Sequence, residues 1–417
     1  MTRSMLGRLK GTRSKFLIGL ALLGPGLIAA NAGNDAGGIA TYASAGAQFG
    51  YRTLFIMLLV GIALVVVQEM CARLGAYTGE GLGSLIREHF SIRMSSLAIV
   101  AFIIANVGLV VSEFAGIAAA FQLFHVSRYI SVPIAAVVVW GLVVFSSYRR
   151  AERFFLVLSL AFLTYPIAAV LSHPDLHEVA SNLVWPHLLT SKGFLYLSVA
   201  LIGTTVAPFM QFYIASAVAD KGIGPNEYKR ERIDTIAGTI FANLISLFII
   251  IATAAAIRTR APLASASQAA VALKPIAGPL ATELFAIGLL GASALAAAIV
   301  PLSTAYAVSE AMGSERSVSK NFREAPIFLG LFTAQIIAGA TIAMIPGNLI
   351  STLINTAALN GIITPLLLVY VLILANKKSL LGEAANGPIF RSVATACVAV
   401  VSVLSVVVLA QTVSGWL

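Results

Sequence analysis

Two acidic residues lie deep inside apolar sequence, and chemistry is most to be expected there. Asp35 stands in Gly33-Asn34-Asp35-Ala36-Gly37-Gly38, within an apolar run over 16–48, and Glu113 is centred in another over 96–124. A carboxylate in hydrocarbon is costly, and it usually marks an ion pathway or a counter-charge. Asp35 is therefore expected to hold a cation or a cationic substrate. Glu113 is left open between a part in transport and a structural partnership with a nearby polar helix. Glu69 and Glu310 fall near helix ends, where a structural or capping role is expected. Asn31 and Asn34 offer side-chain oxygens beside Asp35, although an asparagine there also satisfies loose backbone groups.

Other chemistries find little support. Cys71 and Cys397 both sit in apolar surroundings with no CxxC, which excludes a disulfide scaffold or thiolate metal cluster. His173 and His177 stand four apart near Asp175 and Glu178, but they read as a solvated loop rather than a metal site. No HExxH, GxSxG or Walker sequence occurs, so an enzyme is not expected. No cofactor is expected either. A channel would call for a charged ring or repeated filter sequence, and neither is present.

The elements that must position Asp35 follow from composition. Of 417 residues, 59% are hydrophobic and only 11% charged, with a mean hydropathy of +0.93. Soluble domains carry roughly 25% charged residues. The chain is therefore expected to be an all-α integral membrane protein, a single transmembrane domain over 1–417. Apolar runs predict eleven spans near 16–48, 53–73, 96–124, 129–147, 153–172, 193–219, 234–257, 279–311, 325–345, 349–375 and 391–414. The first is too long, and lacks the cleavage site, for a signal peptide. With the N-terminus inside, the connections hold 21 Lys and Arg on the inner side and 6 on the outer. This asymmetry predicts a cytoplasmic N-terminus in the cell's inner (plasma) membrane. It also accounts for the net charge of +10 without nucleic acid, because the basic residues face an anionic leaflet. The bilayer is thus the expected partner, with no obligate protein partner implied. The longest loop, near 173–192, has room for a short interfacial helix.

Two spans are expected to be broken. Gly33 to Gly38 interrupt the first, each glycine costing about 1 kcal/mol in a helix relative to alanine. In the sixth, Gly203-Thr204-Thr205-Val206-Ala207-Pro208 places a proline at mid-membrane, where it removes a hydrogen bond and clashes with the preceding turn. The first and sixth are corresponding members of two five-helix halves, the pattern of an inverted-repeat transporter with a midplane site.

At these residues the chain resembles the NRAMP divalent-metal transporters. The likeness rests on Gly24-Pro25-Gly26, Asp35-Ala36-Gly37-Gly38 and Ala45-Gly46-Ala47-Gln48-Phe49-Gly50-Tyr51. It continues through Gln68, Ala72-Arg73-Leu74-Gly75, Thr78-Gly79, and Phe285-Ala286-Ile287-Gly288-Leu289-Leu290 to Ser309-Glu310. The resemblance implies the LeuT-type fold: inverted repeats over 16–172 and 193–375, an additional helix over 391–414, and helices 1 and 6 broken. It also implies a metal site at Asp35, with backbone oxygens from Ala32 and Thr204. Where the family has an asparagine, a methionine and a histidine, this chain has Gly38, Ala207 and Phe209. A second family histidine falls near Ala215, and the family's helix-three aspartate and glutamate correspond to Val110 and Glu113. The family's helix-nine cations have no counterpart between Arg323 and Lys377.

These departures shape the expected ion. Losing a thioether removes a soft ligand that favours transition metals, and Gly38 and Ala207 are expected to enlarge the cavity. Mg²⁺ keeps several waters and is held by one or two carboxylates, so a roomy oxygen site suits it. Asn31, Asn34, Thr205 and Gln211 are candidates to bind the ion's waters. The departures look like the NRAMP-related magnesium transporters, a prokaryotic branch, and imply Mg²⁺ uptake with Mn²⁺ also accepted. Because the family's relay histidines, aspartate and cations are missing, tight proton coupling is not expected. The alternatives are a proton-coupled Mn²⁺/Fe²⁺ importer, with Met210 supplying a displaced sulfur, and a sodium-coupled small-molecule symporter of the same fold.

Overall fold

The computed structural model describes residues 33–145, 160–257, 261–314 and 322–414. Among these the backbone is helical, with no strand. Lipid offers no hydrogen bonds, so apolar segments satisfy their own backbone groups as helices. In chain order the helices are α1 Ala36–Phe49, α2 Leu54–Thr78, α3 Leu82–His89, α4 Ile92–Gln122 and α5 Arg128–Val144. There follow α6 Thr164–Leu171, α7 Leu176–Val184, α8 Lys192–Thr205, α9 Pro208–Asp220 and α10 Tyr228–Ala256. The last four of eight residues or more are α11 Ala281–Met312, α12 Pro326–Ala343, α13 Leu349–Ala375 and α14 Pro388–Ser414, with shorter helical turns at Ala266–Ala270, Lys274–Ala277 and Lys378–Leu381.

All eleven expected spans coincide with helix where they are described, apart from residues 33–35 of the first, the break in the sixth and a residue or two at their ends. Eight stretches are long and apolar enough to cross a membrane by that criterion alone. The difference has three causes. The first two spans run together through a 3-10 turn over Gly50–Thr53. Helix α5 has only 17 residues, and the fifth span is described only from Leu160 on. The short helix expected in the longest loop is α7, capped by Asp175, whose Oδ1 accepts the His177 and Glu178 N–H groups at 2.9 and 3.1 Å. His173 and His177 are exposed there.

Packing divides the helices into two groups. Helix α10 lies along α1 and α2, and α9 packs on α2. In the other group α4 packs against α11 and α12, with α5 behind. Helix α13 joins the groups by contacting both α8 and α4, and α14 leans on α13. Small residues allow close crossings, as membrane helices favour. At Gly203 of α8 an added Cβ would collide with the Ala357 carbonyl and the Gly361 backbone of α13, and at Gly75 it would collide with the Ala215 carbonyl of α9.

Polar side chains tie the helices together within and between these groups. Asn106 of α4 donates to Thr304 and Ser303 of α11 at 2.7 and 3.0 Å. Glu69 and Glu310 have the structural roles expected of them. Glu69 pairs with Arg73 and Arg232 at 3.2 and 3.3 Å and accepts the Tyr228 hydroxyl. Glu310 accepts the Ser216 hydroxyl at 2.7 Å and the Gly83 N–H at 3.0 Å, tying α11 to α9 and α3.

Candidate functional site

Asp35 caps α1. Its backbone is extended, and its Oδ1 accepts the Gly38 N–H at 2.6 Å, the arrangement for which aspartate is preferred before a helix. The first break is therefore shorter than the sequence implied. Gly37 and Gly38 form the first turn of α1, because the Asp35 cap offsets the conformational cost of two glycines. The Thr204 hydroxyl of α8 donates to the same Oδ1 at 3.4 Å. The other oxygen, Oδ2, is buried and has no hydrogen-bond partner among the described residues.

Glu113 meets the same helix end. Its Oε2 accepts the Ala36 N–H at 3.3 Å, while Oε1 is buried with no partner among the described residues. Two carboxylates thus share the N-terminus of α1, where exposed N–H groups and the helix dipole favour negative charge. Each keeps one oxygen uncommitted.

The second break lies at Val206 and Ala207, between α8 and α9. Ala207 is extended, and Pro208 opens α9 at its first position, where a missing N–H is harmless. Upstream the consequence is different. In a continuous helix the carbonyl of Thr204 would accept from residue 208, and proline has no N–H to give. The neighbouring carbonyls are engaged. Thr364 of α13 donates to the Val206 carbonyl at 3.4 Å, and Met210 N and Gln211 Nε2 reach the Ala207 carbonyl at 3.1 and 3.3 Å.

The remaining expected site residues divide. Gln211 keeps its Oε1 buried and unpartnered among the described residues. Thr205 is committed: its hydroxyl shares a 3.0 Å bond with Tyr42 and reaches Met57 Sδ at 3.7 Å. Asn34 is held by α10, its Nδ2 donating to the Ala242 carbonyl at 3.4 Å and its Oδ1 accepting from Ser246 at 3.0 Å. Asn31 and Ala32 lie outside the described residues. Where an enlarged cavity is expected at Gly38 and Ala207, the described residues around Gly38 stand close together in this conformation. A Cβ on Gly38 would stand 3.0 Å from Thr204 Oγ1 and 3.2 Å from Tyr42 Cε2. Two cavities of about 400 and 540 Å³ lie elsewhere, and Asp35, Gly38, Thr204 and Ala207 line neither. Asp35, Thr204, Ala207 and Glu113 are wholly buried, so the breaks meet in a closed interior.

Sequence reasoning missed several neighbours. Tyr42 bridges α1 to α8, and its place seven residues after Asp35 puts it on the same helix face. Ser112 borders Asp35, since a Cβ on Gly37 would lie 3.0 Å from Ser112 Oγ and 3.4 Å from Asp35 Oδ1. Ser293 of α11 comes close to Gly116, one turn beyond Glu113. The Ser112 and Ser293 hydroxyls are also buried without partners among the described residues. The groups converging on Asp35 are oxygens, the donor type that suits Mg²⁺, Ca²⁺ and Mn²⁺. Among the described residues no cluster of three or more His, Cys, Asp or Glu is present, so backbone and hydroxyl oxygens would complete any cation's ligand set.

Comparison with known proteins agrees with this architecture. The family model described as natural resistance-associated macrophage protein-like (Nramp) matches residues 26–411. The divalent metal cation transporter MntH of Aeromonas hydrophila is 29% identical over 398 residues, covering 92% of this chain and 93% of that protein. A crystal structure of the Eremococcus coleocola manganese transporter superposes with a TM-score of 0.74 at 19% identity, covering 98% of this chain and 90% of the other. A nucleobase-cation-symport-1 family transporter gives 0.50 at 14% identity, with 94% and 93% covered. At these identities the solved structures speak for the fold alone, an all-helical LeuT-type architecture.

Proposed function

Because the chain belongs to the NRAMP family, we propose that it is a divalent metal cation transporter, a multi-pass membrane protein that carries its ion past Asp35 by alternating access. The relatives named divalent metal cation transporters support the cargo class. One observation carries the assignment of the site. At two facing helix breaks, Asp35 Oδ2 has no partner among the described residues, and Pro208 denies the Thr204 carbonyl its helix donor. A buried carboxylate needs a counter-charge, and a divalent ion between those two oxygens supplies it. Glu113 adds a second charge at the same helix end, with Ser112 and Gln211 near enough along their helices to hold water on the ion.

The finer reading is a hard-cation site. Carboxylate, carbonyl and hydroxyl oxygens serve Mg²⁺ and Mn²⁺ alike, and Ala207 stands where the family carries a thioether. The transporter then takes up Mg²⁺ and accepts Mn²⁺, discriminating less in favour of softer metals. Its closed interior is compatible with such an ion only if the groups around Gly38 part or the ion sheds water. Uptake is driven by concentration and membrane potential. The potential contributes about 2.3 kcal/mol per charge per 100 mV, so roughly twice that for a divalent ion.

A second reading is a proton-coupled manganese importer. It is favoured by the fold's likeness to a manganese transporter and by Glu113 Oε1, which has no partner among the described residues and belongs to the carboxylate that shares the α1 N-terminus with Asp35. Uptake into proteoliposomes separates the two. Mg²⁺ entry inhibited by Mn²⁺, with internal pH unchanged, supports the hard-cation reading. Mn²⁺ entry with acidification and no Mg²⁺ flux replaces it with the second.

A further inference from the structure

A groove of about 540 Å³ opens between α2, α8 and α14, away from Asp35. Its walls include Phe55 and Leu59 of α2, Phe194 and Leu195 of α8, and Ala399 and Val400 of α14. Small residues of α14 hollow it out opposite the aromatic rings. Ser198 supplies the one hydroxyl in its wall, and that hydroxyl donates to the Phe194 carbonyl at 2.7 Å, leaving the surface dry. Apolar cavities of this kind do not hold water, and the size falls within the range that takes a small organic ligand. Leu59, Val400 and Val403 along it are exposed, so in a bilayer the groove faces lipid.

Two basic residues lie one turn from the lining at one end of the groove, Arg52 three residues before Phe55 and Lys192 three before Leu195. The rings of Phe49 and Phe194 meet edge to face at 5.1 Å, joining the end of α1 to the start of α8. Arg52 lies three residues after Phe49, and Lys192 two before Phe194. Both are exposed, and neither has an ion-pair partner among the described residues. They are two of the six cations on the side the basic-residue count assigns to the exterior, so this mouth is enriched where cations are scarce. Trp185, 67% exposed, stands a few residues before Lys192, as tryptophan does at headgroup depth.

We propose that this groove holds one acyl chain of an anionic phospholipid, whose phosphate rests on Arg52 and Lys192. The groove supplies the apolar contact and the two cations supply headgroup preference. Because α8 carries Thr204 at its other end, the bound lipid leans on the half-helix that forms the metal site.

The full chain is purified and its retained lipid measured by native mass spectrometry, with phosphatidylglycerol and phosphatidylcholine offered in equal amounts. The wild type should retain one phosphatidylglycerol in preference to phosphatidylcholine. That preference should fall roughly fivefold for each of Arg52→Ala and Lys192→Ala, while Ala399→Trp should abolish retention of both. In parallel, phosphatidylglycerol carrying a diazirine on its acyl chain is photolysed with the wild type. Adducts should concentrate on 55–63 and on the 396–404 segment that contains Cys397. Equal retention of the two lipids by wild type, retention undiminished in a folded Ala399→Trp, or adducts spread evenly over the lipid-facing helices would each overturn the proposal. The photolysis stands on its own if Ala399→Trp does not fold.

Discussion

Pro208 withholds the N–H that the Thr204 carbonyl would otherwise accept, and this gives the ion one of its proposed ligands. Pro208→Ala returns that N–H and removes the ring that clashes with the carbonyl four residues back. A backbone hydrogen bond is worth about 0.5–1.5 kcal/mol net. Where that N–H draws Val206 and Ala207 back into helix, an ion that uses the Thr204 carbonyl must break the new bond to bind, and affinity should fall roughly two- to tenfold. The ion-free protein should be no less stable, because alanine is the better helix former and Pro208 sits at a first helical position where its own cost is small. Calorimetric titration with Mn²⁺, beside thermal melting without metal, reads both quantities. Unchanged affinity in a protein whose melting temperature holds or rises would refute the reasoning, since a carbonyl drawn back into the helix would then cost the ion nothing.

Other substitutions probe the remaining parts. Asp35→Asn should keep the cap on α1 but lower ion affinity by more than the roughly 10- to 100-fold typical of losing a supporting partner, as read by titration of the purified variant. Ala207→Met should raise Mn²⁺ and Cd²⁺ uptake relative to Mg²⁺ in competition assays, by adding a thioether to an oxygen site. Tyr42→Phe removes one bond to Thr205, and should cost about 1 kcal/mol of stability with metal binding retained. Glu310→Ala strands the Ser216 hydroxyl and the Gly83 N–H, at about 1–3 kcal/mol for each buried orphan; denaturation should show the loss, and Glu310→Gln should recover part of it.

How much of this was legible depended on range along the chain. The spans followed from apolar runs, because hydrocarbon leaves a buried segment little alternative to helix. The break at Pro208 was legible for an equally local reason, the missing N–H. The break at Gly33 to Gly38 was overdrawn, since glycine propensity suggested disruption that the Asp35 cap outweighs within the first turn. Tyr42 was within reach by counting seven residues from Asp35. The Thr364 bond to the Val206 carbonyl was not, because 158 residues separate them and no local pattern pairs α13 with the break. Nor could composition show how close Gly38 lies to Thr204. Small residues imply room only when the helices stand apart, and here they have closed on that room. Asn34 read as a possible ligand because the sequence gives its oxygens but not Ser246, which holds one of them.

The central claim is that a divalent ion binds between Asp35 and the Thr204 carbonyl, which Pro208 deprives of its helical donor. Anomalous diffraction from crystals grown with Mn²⁺ tests it most directly. The account predicts a peak within direct or one-water coordination of Asp35 Oδ2 and the Thr204 carbonyl, lost in Asp35→Asn. A peak elsewhere in the bundle, or one that survives Asp35→Asn in place, would contradict it.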